Sequence, residues 1–282
     1  MTRWPPLGSG GRCVDLHAHT TFSDGSLAPE ALVALAVERG LSALGVTDHD
    51  STEALPRAQA AIRATLELVP GIELSSAAEG LDLHILGYYI DAECGALCER
   101  LARFGAERRE RTRAILQRLA ELGAQVEEET VLALAGPGVV GRPHIAMALI
   151  QAGHARDLDE AFRRFLGSRG AAFVRRPAFT PEEAIALIHV AQGVSVLAHP
   201  GPLLAHVVVE RLAAAGLRGI EIWHPQHTPT TMRRLHALAT RLGLLETGGS
   251  DFHGPGRGAD LGSLEVPAEV MGPLKQVAGV AG

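Results

Sequence analysis

The sequence predicts an α/β fold: a distorted (β/α) barrel of about seven strands, TIM-like, with a small inserted helical domain. Three observations lead there. Short apolar strand candidates alternate with amphipathic helix candidates over most of the chain, which implies a mostly parallel sheet. Nearly every strand candidate ends in His, Asp or Glu. A closed parallel barrel gathers all its strand C-termini on one face, whereas an open doubly wound sheet gathers only a few at its switch point. Finally, residues 100–170 hold no clear strand and read as a helical domain inserted into a barrel formed by residues 13–99 and 171–282.

The elements follow in order. Val14 to Thr20 is a buried strand ending in His17-Ala18-His19; alternate residues of a strand share a side, so both imidazoles aim at one point. Phe22-Ser23-Asp24-Gly25 turns the chain and returns a carboxylate toward them. Residues 28–40 form a helix, with Pro29 in its first turn and Gly40 at its end. Leu41 to Thr47 is a strand running into Asp48-His49-Asp50, and a helix follows from Glu53 to Leu66. A third strand, Leu66 to Leu74, ends in Gly71-Ile72-Glu73; a fourth, Leu81 to Tyr88, carries His84. In the insert, Arg108 to Leu122 is a charged amphipathic helix stopped by Gly123; Glu127–Leu134, His144–Gln151 and Leu158–Leu166 are further helices. Alternation resumes with a helix at Pro181–Gln192 and a strand entering His199-Pro200. A helix at Leu203–Ala215 leads to Gly219–Trp223, which enters His224-Pro225. A helix at Pro229–Leu242 then precedes Leu244–Thr247, which runs into Gly248-Gly249-Ser250-Asp251-Phe252-His253.

The bulk properties narrow the function. A net charge of -6 gives no global basic field for duplex DNA. Met1 to Arg12 lacks the apolar run of a signal peptide, and no stretch is long and apolar enough to span a bilayer. Three cysteines without a disulfide framework fit a reducing cytoplasm. A dinucleotide fingerprint is absent after the first strand, where His17-Ala18-His19 stands instead. Lys275, the only lysine, lies in the tail, so no barrel lysine is available for carboxylation in the manner of amidohydrolases.

His17, His19, Asp24, His49, Glu73, His84, His199, Asp251 and His253 exceed what one ion needs. They suit two or three divalent cations, Mn, Fe or Zn, sharing a bridging carboxylate, for which Glu73 is the candidate.

These motifs, with Thr47-Asp48-His49-Asp50, Gly71-Ile72-Glu73, Ala198-His199-Pro200 and Gly249-Ser250-Asp251-Phe252-His253, resemble those of the PHP (polymerase and histidinol phosphatase) family. The resemblance implies a seven-stranded barrel with a trinuclear site: one metal on His17, His19, Glu73 and Asp251, a second on Asp24, His49 and His253, a third on Glu73, His84 and His199. Gly141-Arg142-Pro143-His144 and Ile222-Trp223-His224-Pro225-Gln226-His227 resemble the stand-alone phosphoesterases of that family, which act on nucleoside 3′,5′-bisphosphates or trim short RNA from the 5′ end. Phe173–Pro177 departs from their Tyr-Val-Pro pattern.

The expected reaction is hydrolysis of phosphate esters of small nucleotides or short RNA 5′ ends by metal-activated hydroxide. His224 is the candidate acid and Arg142 the phosphate clamp. His144, His227 and Arg176 are candidate substrate contacts, although His144 could instead cap its helix and Arg175 and Arg176 could be a solvated face. Asp48 and Asp50 are read as orienters of His49, and Arg108, Arg109, Arg111 and Arg113 as a solvated helix face. The competing readings are a histidinol-phosphate phosphatase and a non-catalytic metal-binding module.

Overall fold

The computed structural model describes residues 13–63, 65–78, 81–201 and 206–280. Met1–Arg12 and the start of the helix expected at Leu203 lie outside the described residues. The elements run β1 (Cys13–Asp15), α1 (Pro29–Glu38), β2 (Ala43–Val46), α2 (Leu55–Ala61), β3 (Glu67–Ala78), β4 (Leu81–Tyr88) and α3 (Gly95–Glu121). Then come α4 (Glu128–Ala135), α5 (Arg142–Gln151), α6 (Leu158–Ala161), a π-helical turn at Phe162–Leu166 and α7 (Pro181–Val190). The chain ends through β5 (Val194–Leu197), α8 (His206–Ala214), β6 (Gly219–Trp223), α9 (Pro229–Leu242), β7 (Leu245–Gly248), β8 (Val266–Pro267) and α10 (Met271–Ala278).

The strands form one sheet in the order β7-β6-β5-β4-β3-β2-β1-β8. It curls almost shut. The Leu16 N–H donates to the Gly248 carbonyl at 3.1 Å, and Ala18 bridges Phe252 in parallel. Gly249 makes that closure possible, because any Cβ there would collide with the backbone of His17. The (β/α) barrel expected from alternation is therefore present, with the short β8 added antiparallel beside β1.

One strand pair departs from the expected alternation. β3 is longer than expected and turns back into β4, which lies antiparallel to both β3 and β5. Glu73 and His84 thus sit inside a hairpin, not at two parallel strand ends. Eight-residue β4 offered no sequence cue to its direction, because a strand buried in a barrel looks alike run either way.

Two apolar cores surround the barrel wall. Leu32, Leu44, Ile72, Ile85, Ile188, Ile220 and Leu238 fill the space between the sheet and its helices. Inside the barrel, Val14, Leu16, Leu86, Tyr88 and Val196 pack from the opposite strand faces. A third cluster, from Ile115 and Leu119 through Val131, Ile145 and Leu149 to Phe165 and Ala172, is built by α3–α6, the π turn and the loops that join and follow them. α3 begins against the barrel at Leu97 and Phe104 and ends in this separate cluster. Among the described residues no helix is long and apolar enough to cross a membrane.

Candidate metal centre

Glu73 stands at the middle of the barrel mouth, fully buried. Its Oε2 lies 3.2 Å from His17 Nε2, 3.3 Å from His19 Nε2 and 3.0 Å from His49 Nδ1. Its Oε1 lies 2.6 Å from His84 Nδ1 and 3.0 Å from His199 Nε2. One carboxylate therefore faces two sets of imidazoles with its two oxygens.

The donors fall into three groups whose ligand atoms lie within 4.8 Å of one another: His17, His19, Glu73 and Asp251; His19, Asp24, His49 and His253; and His49, Glu73 and His84. The first is the set implied by the family resemblance. The second adds His19 to Asp24, His49 and His253. The third holds His49 where His199 was expected, although the His199 ring still reaches Glu73.

The geometry fits cations better than a self-contained hydrogen-bond network. Donors bound to one tetrahedral ion at about 2.1 Å stand about 3.4 Å apart, and the contacts here cluster near that spacing. His253 Nε2 is 3.2 Å and His49 Nε2 3.8 Å from Asp24 Oδ1, yet that oxygen is buried without a hydrogen-bond partner. His49 Nδ1 is likewise buried and unpartnered despite its closeness to Glu73. A polar atom in that state costs free energy unless something else satisfies it, and a divalent cation does so for all these atoms together.

Local structure explains how the ligands are delivered. Asp48 does not orient His49. It accepts hydrogen bonds from the Thr20 N–H (2.7 Å), the Thr20 hydroxyl (2.6 Å) and the Ser23 hydroxyl, and so pins the loop that carries Asp24. That loop lies so close to His19 that Gly25 has no room for a Cβ. Asp50, His199 and Asp251 have φ of 50°, 26° and 52°. Such left-handed backbone is unfavourable outside glycine and concentrates at functional sites.

The ionisation of the metal-free cluster follows from this crowding. Burial alone would lower the pKa of His17, but the carboxylates of Glu221, Glu73 and Asp251 outweigh it and hold it well above the ordinary value. For His19, burial opposes but hydrogen bonds to Asp251 and Glu73 win, raising it to about 10. Glu73 and Asp251 are driven the other way, well below the carboxylate range, by the imidazoles around them despite their burial.

Between the mouth and α3–α6 runs a cleft lined by Asp24, His49, His84, Phe162 and four arginines: Arg108, Arg111, Arg142 and Arg176. The helix face that reads as solvated is therefore only partly so: Arg108 and Arg111, three residues apart on α3, turn inward. Arg108 donates through Nε to Asp50 at 3.0 Å and contacts it again through Nη2, so Asp50 anchors an arginine and not His49. Arg142 donates to Asp82 at 3.1 Å. Arg176 lies 4.0 Å from Asp50, whereas Arg175 is exposed. Burial first, then repulsion among these guanidiniums, lowers Arg111 to about 9 and Arg176 to about 10. The cleft holds more positive charge than its carboxylates balance.

The remaining candidates divide. His224 is buried in the mouth; its Nδ1 accepts the Gln226 N–H at 3.3 Å. The proton of the neutral ring then sits on Nε2, which has no hydrogen-bond partner and points toward Asp251 Oδ2 at 3.5 Å. His144 caps its own helix, its Nδ1 accepting the Gly141 N–H at 3.0 Å. His227 donates through Nδ1 to the Ile222 carbonyl at 2.8 Å and lies beside His224, 5.4 Å between ring centres. Neither lines the arginine cleft; each makes a local hydrogen bond through Nδ1, and the Nε2 of His227 is buried without a hydrogen-bond partner. Two carboxylates were missed altogether. Glu221 reaches His17, and Asp15 accepts the N–H groups of Ser250 (3.0 Å) and Gly262 (2.8 Å). The available signal was a lone acid within each buried strand, Val14-Asp15-Leu16 and Ile220-Glu221-Ile222.

The PHP domain family model matches residues 15–173. The chain is 38% identical over 267 residues to the 5′-3′ exoribonuclease Rnm of Escherichia coli (strain K12), covering 92% of this chain and 91% of that protein. It is 33% identical over 269 residues to the 3′,5′-nucleoside bisphosphate phosphatase of Chromobacterium violaceum, covering 93% and 94%. A crystal structure from Bifidobacterium adolescentis, described as a metal-dependent phosphoesterase, superposes with a TM-score of 0.88 at 32% identity over 94% of this chain and 96% of that one.

Proposed function

We infer that this chain, which belongs to the PHP domain family, is a metal-dependent phosphoesterase that hydrolyses phosphate esters of small nucleotides. The observation that carries this is the two-sided Glu73, one carboxylate shared by imidazole sets that open onto an arginine-lined cleft. The substrate is a nucleoside 3′,5′-bisphosphate, losing its 3′-phosphate, or the 5′ end of a short RNA.

His17, His19, Glu73 and Asp251 would hold one cation, Asp24, His49 and His253 a second, and Glu73, His84 and His199 a third; the chemistry of the donors suits Mn, Fe or Zn. Bound there, divalent ions lower the pKa of water toward neutrality and neutralise charge on the phosphoryl oxygens. The chain's own groups do the rest. Arg142 and Arg176 grip a phosphate remote from the scissile bond, since guanidinium forks match its oxygens and are underbalanced here. Phe162 offers an aromatic face on which a base can stack. His224 donates its Nε2 proton to the leaving alkoxide, and its neutral tautomer is set for that by the Gln226 N–H. Residues 100–170 act as a substrate-binding domain by carrying Arg108, Arg111 and Arg142 to the mouth of the barrel formed by residues 13–99 and 171–282.

Purified protein loaded with Mn²⁺ should release phosphate from adenosine 3′,5′-bisphosphate or mononucleotides from short 5′-phosphorylated RNA. Faster turnover of histidinol phosphate would replace this substrate assignment. No turnover of any of the three by metal-loaded protein would sink the enzymatic reading and leave a metal-binding module.

A further inference from the structure

Glu221 lies on β6, fully buried behind the histidines, and belongs to none of the three ligand groups. Its two oxygens are both used. Oε1 accepts from His17 Nδ1 at 3.1 Å, and Oε2 accepts the backbone N–H of His199 at 2.7 Å. We propose that Glu221 is a positioning residue that sets two of the metal subsites at once.

The argument is one of donors and acceptors. A carboxylate only accepts, so the bond to Glu221 keeps a ring proton of His17 on Nδ1 and makes Nε2, which faces Glu73 and Asp251, the atom whose proton a cation would replace. That choice of tautomer decides whether His17 can ligate at all. The second oxygen holds the backbone of His199, whose φ of 26° is costly for an L residue. Held so, the His199 ring stacks 5.7 Å from that of His17 and its Nε2 reaches the far oxygen of Glu73. His17 and His199 follow the ends of strands β1 and β5, which are not neighbours in the sheet. Glu221 is the group through which both are fixed. Glutamine cannot replace it, because an amide has one accepting oxygen for two donors and would turn its own N–H toward the other.

This inference rests on the metal reading above. The test compares the unmutated chain, Glu221→Gln and, as a control on the adjacent strand, Glu246→Gln. Each is equilibrated with Mn²⁺ or Zn²⁺, desalted, assayed for metal by elemental analysis, and challenged with a chelator. Circular dichroism and thermal melting confirm the fold. Glu221→Gln should bind metal about 10- to 100-fold more weakly. Raising Mn²⁺ should restore kcat while KM for the nucleotide stays unchanged, which a general packing defect would not produce. Glu246→Gln should match the unmutated chain. If Glu221→Gln does not fold, Glu221→Asp, which keeps both accepting oxygens one methylene too short, is measured in the same way and should also bind metal more weakly. Metal retention equal to the unmutated chain in a folded Glu221 variant overturns this inference alone. An unmutated chain that takes up no divalent ion overturns the metal reading and this inference with it.

Discussion

Asp50 offers the sharpest test of how the cleft is built. Its carboxylate is fully buried and meets Arg108 through Nε at 3.0 Å and through Nη2, while its other oxygen accepts the Ser75 N–H at 2.8 Å. The Arg108 side chain is only 12% exposed, so water cannot fully replace its partner. Asp50→Asn removes the charge and keeps the side-chain shape and the left-handed backbone, which asparagine tolerates. Breaking one side of a buried pair costs about 3–5 kcal/mol, and the retained amide oxygen puts the expectation at about 3 kcal/mol. At about 2–4 °C per kcal/mol the melting temperature should fall by roughly 6–12 °C. The pH dependence has a definite sign. Burial raises the pKa of Asp50, but Arg108 and Arg176 outweigh it and hold the carboxyl below its ordinary value. The stabilisation is therefore fully present above the unfolded pKa of about 4 and fades as pH falls through the lower folded value. Melting curves of both proteins at several pH values provide the assay. The gap should be constant from neutral pH to about 5 and close in acid. A shift under about 2 °C at neutral pH would mean that Arg108 is solvated and the pair is worth no more than a surface ion pair.

Three further outcomes are expected. Arg142→Ala should raise KM for a nucleoside 3′,5′-bisphosphate by about 10- to 100-fold, the worth of a charged hydrogen bond, and leave KM for a substrate with one phosphate nearly unchanged; steady-state kinetics on the two decides it. His224→Gln should lower kcat by about 10²- to 10⁴-fold without changing metal content, and an ester with an acidic phenol leaving group should recover much of the rate; an equal loss on that ester would remove His224 from the acid role. The metal-free chain holds a proton on His19 up to about pH 10, so metal uptake at neutral pH should expel protons and affinity should climb as pH rises toward that value. Calorimetry in buffers of different ionisation enthalpy reads the proton count, and zero release would contradict it. In the metal-free chain the stabilisation from that raised histidine is complete below about pH 6.5 and is lost as pH passes through about 10.

Much of the centre was legible because its ligands are punctuation. His17, His49, His199, Asp251 and His253 stand where apolar strands stop, and although one polar residue at a strand end is ordinary, its recurrence at nearly every strand end is not. The arginines were harder to read. Arg108 and Arg111 lie in a run that also contains the outward Arg109 and Arg113, and only the tertiary position of α3 decides which face meets the cleft. For His144 and His227 the sequence leaves two roles open, because a histidine near a functional motif offers the same two nitrogens to a backbone as to a ligand. Glu221 was hidden by its strand, where one acid among isoleucines breaks the apolar pattern only once.

The reversed strand β4 accounts for the placement of α3 and the helices that follow it. β3 pairs in parallel with β2 up to Pro70 and again with His49 at Glu73, and its other edge pairs with antiparallel β4 from Gly71 onward. Glu73 bridges His49 in parallel on one edge and pairs with Leu86 of antiparallel β4 on the other, so its second oxygen faces His84 on a strand coming down and not a neighbour going up. Reversal also brings the chain to the closed end of the barrel: Tyr88 pairs with Val194, where β5 begins. To return to the mouth the chain needs a long rigid element, and α3 supplies 27 residues, about 40 Å at 1.5 Å each. Phe104 still packs on the barrel core; Arg108 meets Asp50 at the mouth; Ile115 is already in the separate cluster that runs from Ile115 to Ala172. A parallel β4 would have ended at the mouth, where a short loop could continue the alternation without such a helix. The feature that lets one carboxylate serve two sets of histidines is thus the same feature that obliges the chain to carry arginines past them.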